Sequence, residues 1–370
     1  MGRARYLMIG GFLGAGKTTA MLRFGQHLAA DGLRVGIVTN DQSSGLADTA
    51  LLSTSGLPVE EITGGCFCCR FNSLTAAAER LSETARPDVF LAEPVGSCTD
   101  LRATVQYPLR RMYGENYRIA PLSVLVDPIR ALRVLGVEPG RAFSPKVHYV
   151  YRKQLEEADV IVVNKRDLVT EARLSALEAA LRGMCPHAEV LAVSARTGEG
   201  LEPWFMRIAG AAEHGREAPP VDYDLYADGE ALLGWCNATY RVAAGVPFDG
   251  NVFLIDLADE VSRRLEHDRP EIAHFKMTFA PEEEGGDLGV LNLVGSDREP
   301  ELSHRLQEPL RAGELIVNIR AESDPERLRR VVVESVEAAA RCHGALVRTV
   351  HLEHFRPGRP TPTHRFATID

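Results

Sequence analysis

The sequence predicts an α/β domain with a mostly parallel sheet, followed by a smaller α+β domain. Three observations favour this fold class. The pattern G-x-x-x-x-G-K-T occurs at residues 11–18, between a short apolar run and a segment with apolar residues at helical spacing. Later apolar runs end in polar residues at 40–42, 93 and 164–167, as buried parallel strands do. Near residue 209 the sequence becomes rich in small residues, charges and prolines, which predicts a domain boundary.

Composition limits the classes of protein that fit. The 370 residues are 45% hydrophobic and 25% charged, which is ordinary for a globular chain of two domains. The net charge of −9 argues against a nucleic-acid partner, which would need clustered Lys and Arg. No apolar run approaches a membrane span and residues 5–10 already form a predicted strand, so we expect a cytoplasmic protein without membrane contact. In a reducing compartment the seven cysteines do not predict disulfides.

The glycine-rich segment at residues 11–18 predicts a phosphate-binding loop and therefore a P-loop NTPase fold. Its glycines let backbone N–H groups surround a polyphosphate at the N-terminus of the next helix. Lys17 is expected to reach the β- and γ-phosphates, which also makes it a catalytic candidate, and the Thr18 hydroxyl is expected to ligate Mg²⁺. The rest of the predicted phosphate-binding set is Gly14, Ala15, Gly16 and Thr19.

Two carboxylates that end predicted strands are candidates for the hydrolytic step. Asp41 follows the strand at residues 33–39, where a first switch loop would begin, and is expected to orient the attacking water or bind a metal. The alternative is that Asp41 caps the next helix. Glu93 ends the strand at residues 89–93 in a Walker-B-like position and is expected to hold Mg²⁺ through water, while the Gly96 backbone senses the γ-phosphate.

The N-K-x-D tetrad that begins at Asn164 predicts recognition of guanine. The Asp167 carboxylate would accept hydrogen bonds from guanine N1–H and N2–H₂, while the Lys165 stem packs on the base and Asn164 ties loops together. Adenine lacks that donor pair, and a buried polar group left without a partner costs on the order of 1–3 kcal/mol. GTP is therefore the expected nucleotide. Ser194 and Ala195 follow the last predicted strand of this domain, and backbone near Ala195 is expected at guanine O6.

Three cysteines in four positions, Cys66, Cys68 and Cys69, predict a metal site just before an amphipathic helix. Cys66 and Cys68 share one face of an extended chain, whereas Cys66 and Cys69 share one face of a helix. A strand-to-helix turn can therefore bring two or three sulfurs together, and thiolates suit Zn²⁺, Cu⁺ or another thiophilic ion. The alternatives are buried small hydrophobic residues or a redox-sensing cluster. The sequence shows no fourth ligand nearby.

Together these residues resemble the CobW-type GTPases, relatives of the GTPases that deliver nickel to urease and hydrogenase. The resemblance covers about residues 4–208 and rests on GGFLGAGKTT, on GGCFCC in place of the family's G-C-x-C-C, on Glu93 and on NKRD. After Glu93 the chain reads P-V-G-S-C where the family pattern is [ST]-[ST]-G-x-A-x-P.

The resemblance implies a function. It implies a GTP-hydrolysing metallochaperone or metal-cofactor-assembly protein that uses GTP and Mg²⁺. Its cargo would be a transition metal held by the cysteines, Zn²⁺ first, with Co²⁺ and Ni²⁺ as options. The client would be a metalloprotein or an enzyme of a metal-cofactor pathway, and a homodimer is one option by family analogy.

Two alternatives remain open at the level of the sequence. One is a nucleotide-dependent activator that docks on a metalloenzyme or corrinoid protein without carrying metal, for which the cysteines would be dispensable for metal binding. The other is a small-molecule kinase built on the same phosphate loop, which the N-K-x-D tetrad disfavours.

The predicted domains are a P-loop GTPase domain at 1–208, a linker at 209–222, and an α+β domain at 223–370 that ends in an extended, solvent-facing Pro-rich tail. The second domain is predicted as an antiparallel sheet with two helices, with a split βαβ arrangement as an option. Its predicted strands are at residues 233–242, 272–279, 289–294, 314–320 and 345–352, and its helices at 250–265 and 325–342.

The second domain is also rich in potential metal ligands. A second metal site or a client-binding surface is one interpretation, and ordinary core and surface residues are the other. These candidates are Cys236, His274, His304, Cys342, His343, His351, His354 and, in the tail, His364.

Overall fold

The computed structural model describes residues 3–41, 47–53, 55–210, 215–266, 270–282 and 287–369. The strands in this part of the chain are β1 (Ala4–Gly11), β2 (Val35–Asn40), β3 (Val59–Ile62), β4 (Val89–Glu93), β5 (Tyr117–Ile119), β6 (Ser123–Val126), β7 (Val160–Val163), β8 (Glu189–Ala192), β9 (Gly234–Phe248), β10 (Ile272–Pro281), β11 (Gly289–Leu293), β12 (Glu301–His304), β13 (Leu310–Ala321) and β14 (Ala345–Phe355).

The helices in the same described ranges are α1 (Lys17–Ala30), α2 (Ala47–Ser53), α3 (Phe71–Thr84), α4 (Tyr107–Tyr113), α5 (Pro128–Val134), α6 (Pro145–Glu157), α7 (Glu171–Met184), α8 (Leu201–Gly210), α9 (Tyr223–Leu232), α10 (Gly250–Leu265) and α11 (Pro325–Cys342). A π-helical turn at Arg102–Gln106 and a 3₁₀ turn at Arg166–Leu168 complete the list. None of the described helices combines the length and the apolar character that crossing a membrane requires.

The chain forms two compact units. The N-terminal unit contains Met1–Ser44, Ser55–Gly229 and Arg359–Asp370, and the C-terminal unit contains Gly45–Thr54 and Glu230–Gly358. Along the sequence, the boundary between the two units therefore falls inside α9, and the last residues of the chain belong to the N-terminal unit. The predicted linker at 209–222 stays a prediction, and its residues 211–214 lie outside the described residues.

The N-terminal unit is built on a parallel sheet, which confirms the predicted fold class. Among the described residues its strand order is β3-β2-β4-β1-β6-β7-β8, with β5 paired to β1. All these pairs are parallel. The central strands β4 and β7 are buried along their whole length, which explains their continuous apolar sequences.

The carboxyl ends of the strands bring the predicted motifs to one edge of this sheet. The phosphate loop follows β1, Asp41 follows β2, Glu93 ends β4, and the N-K-x-D tetrad follows β7. In a parallel sheet these ends form the crevice in which ligands bind. The switch loop predicted to begin at Asp41 continues into residues 42–46, which lie outside the described residues.

The C-terminal unit is an antiparallel sheet with the order β12-β11-β10-β13-β9-β14 in the described chain. Strand β13 lies between β9 and β10 and is antiparallel to both, so β9-α10-β10 is a split βαβ unit. Strand β9 in turn separates β13 from β14, so β13-α11-β14 is a second one. This repeated arrangement is the ferredoxin-like topology with β11 and β12 added at one edge.

Local sequence explains the helices of the C-terminal unit. Helix α10 begins after Asp249, whose carboxylate accepts from the N–H groups of residues 251 and 252, and α11 begins after Asp324 with Pro325 in its first turn. Both helices bury an apolar face against one side of the sheet. Helix α2 also belongs to this unit: the Lys276 ammonium lies 2.6 Å from the Asp48 carboxylate. No pattern in the sequence predicted that placement.

Candidate functional site

The phosphate loop connects β1, which ends at Gly11, to α1, which begins at Lys17. Gly14 and Gly16 have φ angles of 78° and 85°. These angles lie in the left-handed region, which residues other than glycine adopt only at a cost in free energy. A Cβ at Gly16 would also lie 2.5 Å from the amide nitrogen of Asn164. Both glycines are therefore required by geometry, and the loop presents backbone N–H groups at the N-terminus of a 14-residue helix.

A carboxylate lies beside the first residues of α1. The Thr18 hydroxyl donates to Glu93 Oε1 over 3.2 Å, and the Lys17 ammonium lies 3.7 Å from the same oxygen. All three side chains are buried, whereas Thr19 is exposed. Hydroxyl and carboxylate oxygens are the donors that Mg²⁺ prefers, so the residues present fit the predicted magnesium position.

Asp41 lies half-buried at the end of β2, next to the loop that carries the cysteines. Its N–H donates to the Ile62 carbonyl over 3.1 Å. The neighbouring Asn40 amide donates to the carbonyls of Ile62 and Gly65, at 3.0 and 2.7 Å. The end of β2 is thus tied to the start of the cysteine loop. The roles predicted for Asp41 stay predictions.

Asn164 joins the phosphate loop to the segment after β8. Its amide nitrogen donates to the Ala15 carbonyl over 2.9 Å, and its amide oxygen accepts the Ala195 N–H over 2.9 Å. The geometry agrees with the loop-tying role predicted for Asn164. Because the Ala195 N–H already has this partner, its predicted contact with guanine O6 stays a prediction.

Lys165 runs along the same loop. Its φ angle is 55°, and its ammonium donates to the Gly14 carbonyl over 2.7 Å and to Asp127 Oδ2 over 3.0 Å. Two acceptors therefore fix the lysine stem beside the phosphate loop. This is the position from which a stem can pack on a nucleotide base.

The Asp167 carboxylate lies at the base-recognition end of the site. Burial raises the pKa of this carboxyl, but hydrogen bonds from Ser194 and Arg196, with the positive charge of Arg196, outweigh burial and hold the pKa below its ordinary value. Asp167 is therefore ionised at neutral pH and is a strong acceptor. Guanine N1–H and N2–H₂ would replace or join the donors it has here.

The three motif cysteines converge. Gly64 and Gly65 have φ angles of 77° and 146°, and the turn closes with the Cys69 N–H donating to the Cys66 carbonyl over 3.0 Å. The sulfur separations are 2.8 Å for Cys66–Cys68, 3.3 Å for Cys66–Cys69 and 3.6 Å for Cys68–Cys69. These residues are thiols rather than disulfides. The predicted convergence of two or three sulfurs is confirmed.

Electrostatics within the cluster favours one thiolate. Hydrogen bonding with Cys68 and Cys69 lowers the pKa of the Cys66 thiol, whereas hydrogen bonding with Cys66 raises the pKa of Cys68 and raises that of Cys69 to about 11. A tetrahedral zinc–thiolate site has sulfurs about 3.8 Å apart, given Zn–S bonds of about 2.3 Å. The cluster is therefore close to the size a zinc ion needs, and ion binding would release the remaining protons.

Two features around the cysteines were missed by sequence reasoning. The C-terminal tail, predicted to face solvent, lies against the cysteine turn: the Thr361 N–H donates to Cys69 Sγ over 3.3 Å and the Thr363 N–H to the Cys68 carbonyl over 2.9 Å. The second feature is Cys98, in the loop after β4, whose thiol contacts Cys66 and Cys68. In the sequence, the position of Cys98 five residues after Glu93 was the feature that could have indicated this contact.

The candidate ligands of the C-terminal unit do not assemble. Cys236 is buried in the apolar core. His343 pairs with Asp256 at 2.7 Å, and His354 with Glu326 at 2.8 Å. Within the described residues, Cys66, Cys68 and Cys69 form the one group of three potential ligands close enough to share an ion.

Comparison with known proteins agrees with this geometry. The family model described as "CobW/HypB/UreG, nucleotide-binding domain" matches residues 5–192, which is half of the chain and confirms the resemblance. The zinc chaperone YeiR of Escherichia coli is 31% identical over 173 residues, which are 46% of this chain and 49% of YeiR. The zinc chaperone CobW of a Sinorhizobium species is 27% identical over 197 residues, 48% of this chain and 54% of that protein. The chain thus spans about half the length of the curated relatives it matches.

A solved structure is similar over a longer stretch. The Zn(II)-bound YjiA GTPase from E. coli aligns with 90% of this chain and 99% of its own, with 16% identity and a TM-score of 0.41.

Proposed function

The chain belongs to the CobW/HypB/UreG family of nucleotide-binding proteins, and from this premise we propose that it is a GTP-hydrolysing metallochaperone. It carries a thiophilic transition metal at Cys66, Cys68 and Cys69 and passes it to a client metalloprotein or to an enzyme of a metal-cofactor pathway. The observation that carries the proposal is the convergence of three thiols, 2.8 to 3.6 Å apart, in a unit that also holds a phosphate loop and an N-K-x-D tetrad.

The residues of the phosphate loop bind and orient the nucleotide. Backbone N–H groups at Gly14 and Gly16 hold the β-phosphate, and Lys17 neutralises charge that develops on the transferred phosphoryl group. Thr18 and Glu93 would hold a Mg²⁺, which would supply further neutralisation of the phosphate charge. Water attacks the γ-phosphorus, and the bond to the β-γ bridging oxygen breaks to give GDP and phosphate.

Asp167 selects GTP over ATP. Its depressed pKa keeps the carboxylate ionised, and guanine offers it two donors. Adenine would leave this charged acceptor facing an unprotonated ring nitrogen and a C–H group, which costs on the order of 1–3 kcal/mol. Asn164 and Lys165 donate hydrogen bonds of 2.9 and 2.7 Å to the phosphate loop. These bonds hold the base-binding residues at a fixed position relative to the phosphate-binding loop.

Zinc is the favoured cargo, with Co²⁺ and Ni²⁺ as alternatives. Soft sulfur donors select Zn²⁺ over hard cations such as Mg²⁺, and two relatives are named zinc chaperones. Because three thiols leave one position of a tetrahedral ion available, a site of this kind suits transfer to a client ligand.

The proposal is tested by measuring metal binding and GTP hydrolysis on the same samples. The wild type is expected to bind one Zn²⁺ and hydrolyse GTP, and the triple variant Cys66→Ser/Cys68→Ser/Cys69→Ser is expected to lose the metal while keeping nucleotide binding. Cys342→Ser, which removes an exposed thiol, is the matched control and should behave as wild type. Zinc binding of equal strength in the triple variant would contradict the carrier role.

A further inference from the structure

We propose that Cys98 is a fourth sulfur ligand of the metal site. This inference rests on the proposed function, because it adds a ligand to the site formed by Cys66, Cys68 and Cys69. Cys98 also lies in the loop that follows Glu93, so this loop connects the nucleotide site to the metal site.

The position of Cys98 supports ligation. Its thiol is in hydrogen-bonding contact with the sulfurs of both Cys66 and Cys68. Cys98 is 1% exposed and Cys68 is also 1% exposed, so this contact lies on the inner side of the cluster. Cys69, which is only partly buried, lies on the outer side. Thiols from two separate chain segments, Cys98 on one and Cys66 with Cys68 on the other, therefore meet on this inner side.

The backbone around Cys98 is held in place. The buried Gln154 amide donates to the carbonyls of Gly96 and Cys98, at 2.9 and 2.8 Å. The Cys98 N–H donates to the Val95 carbonyl over 2.9 Å, and the Thr99 N–H donates to the Tyr226 hydroxyl over 3.2 Å. These bonds come from α6, α9 and the loop itself. They fix the sulfur next to the cluster before any ion arrives, as ligand preorganisation requires.

A fourth sulfur changes what the site can do. Zinc bound by three protein ligands keeps an open position, whereas zinc bound by four is closed and strongly retained. Cys66, Cys68 and Cys69 alone leave the inner position of the ion to water. Cys98 fills that position, so metal is retained while Cys98 ligates and becomes transferable when Cys98 withdraws.

The loop between Glu93 and Cys98 packs on the phosphate loop. A Cβ at Gly96 would lie 3.0 Å from the backbone nitrogen of Leu13, a residue of the phosphate loop. Displacement of this loop when the γ-phosphate leaves would move Gly96 and, two residues later, Cys98. Nucleotide state is thereby coupled to the number of sulfurs on the metal.

The test is Co²⁺ titration of the full chain, followed by thiolate-to-cobalt charge-transfer absorption and by affinity. The variants are Cys98→Ser and Cys98→Ala, and the control is Cys185→Ser, another buried thiol, which donates to the Leu155 carbonyl. Cys98 variants should lose about a quarter of the charge-transfer intensity, one thiolate of four, and should bind metal roughly tenfold or more weakly. The control should match the wild type.

Two results would overturn the inference and separate it from the proposed function. If both Cys98 variants keep wild-type intensity and affinity, Cys98 is not a ligand, while the carrier proposal stands. If the wild type itself shows no thiolate-to-cobalt absorption, both proposals fail. X-ray absorption of the zinc-loaded wild type gives a decision that needs no variant: four sulfurs support the inference, and three contradict it.

Discussion

The Thr18 hydroxyl donates a hydrogen bond to Glu93 Oε1 over 3.2 Å, which joins the phosphate loop to the end of β4. The two residues are 75 positions apart in the sequence, and both occupy the edge of the sheet where the other nucleotide motifs lie. Their side chains supply the oxygens predicted for Mg²⁺.

Replacement of Glu93 tests this arrangement. Glu93→Gln keeps the size of the side chain and an acceptor for Thr18 but removes the charge that balances Mg²⁺ and Lys17. We expect GTP hydrolysis to fall roughly a hundredfold, while GTP binding measured without hydrolysis changes much less. Glu83→Gln, on an exposed position of α3, is the control. Hydrolysis at the wild-type rate in Glu93→Gln would exclude Glu93 from the magnesium site.

Replacement of Asp167 tests base selection. Asp167→Asn substitutes a donor amide for one carboxylate oxygen, so GTP should bind about 10- to 100-fold more weakly, corresponding to about 1–3 kcal/mol. Xanthine carries a carbonyl where guanine carries the N2 amine, so XTP should gain affinity in the same variant. Titration with GTP, ATP and XTP measures both changes. Unchanged preference for GTP would show that Asp167 does not read the base.

Two glycines with similar backbone angles test the steric requirement of the phosphate loop. Gly16 and Gly32 have φ angles of 85° and 81°, but a Cβ would meet the Asn164 amide at 2.5 Å in the first case and nothing within 4 Å in the second. Gly32→Ala should cost about 1 kcal/mol of stability and keep GTP binding. Gly16→Ala should lose GTP binding as well. Equal GTP affinities in the two variants would contradict the assigned loop geometry.

Glu157 predicts how stability changes with pH. Burial raises the pKa of this carboxyl to about 8 from an ordinary value of 4.5; Asp100 adds to the rise, and the N–H and charge of Arg102 oppose it. The folded state therefore keeps a proton that the unfolded state loses, and unfolding free energy should fall by about 1.4 kcal/mol per pH unit between those two values. Denaturant unfolding at pH 6, 7 and 8 should show this slope in the wild type and a flatter one in Glu157→Gln. Identical slopes would refute the assignment.

Much of the fold was predictable because it depends on the order of apolar and polar residues within short segments of the sequence. Buried parallel strands need continuous apolar sequence and end in polar residues, so β4 was predicted with the bounds that the structure gives it. Helices α10 and α11 were also predicted with their observed bounds. Phosphate binding and base recognition follow from short motifs whose residues lie at strand ends. The spacing of Cys66, Cys68 and Cys69 predicted that two or three sulfurs can converge, and in the structure all three do.

Other features depend on contacts that leave no pattern in the sequence. Thr361 and Cys69 are separated by 292 positions, and their bond uses a backbone N–H, which every residue except proline has. The contact of Cys98 with Cys66 likewise depends on how two loops meet. The compact units divide between Gly229 and Glu230 and return the tail to the N-terminal unit, an arrangement that depends on long-range contacts; the linker at 209–222 was predicted from composition and stays a prediction.

We expect nucleotide state to control metal binding at the cysteines. Zn²⁺ affinity, measured by competition with a chromophoric chelator for the protein with GTP, with GDP and without nucleotide, tests it most directly. We predict tight binding that changes at least about tenfold between GTP and GDP, equivalent to about 1.4 kcal/mol, and that disappears in Cys66→Ser/Cys68→Ser/Cys69→Ser. Affinity that is the same in all three nucleotide states, or that survives loss of the three thiols, would contradict the account.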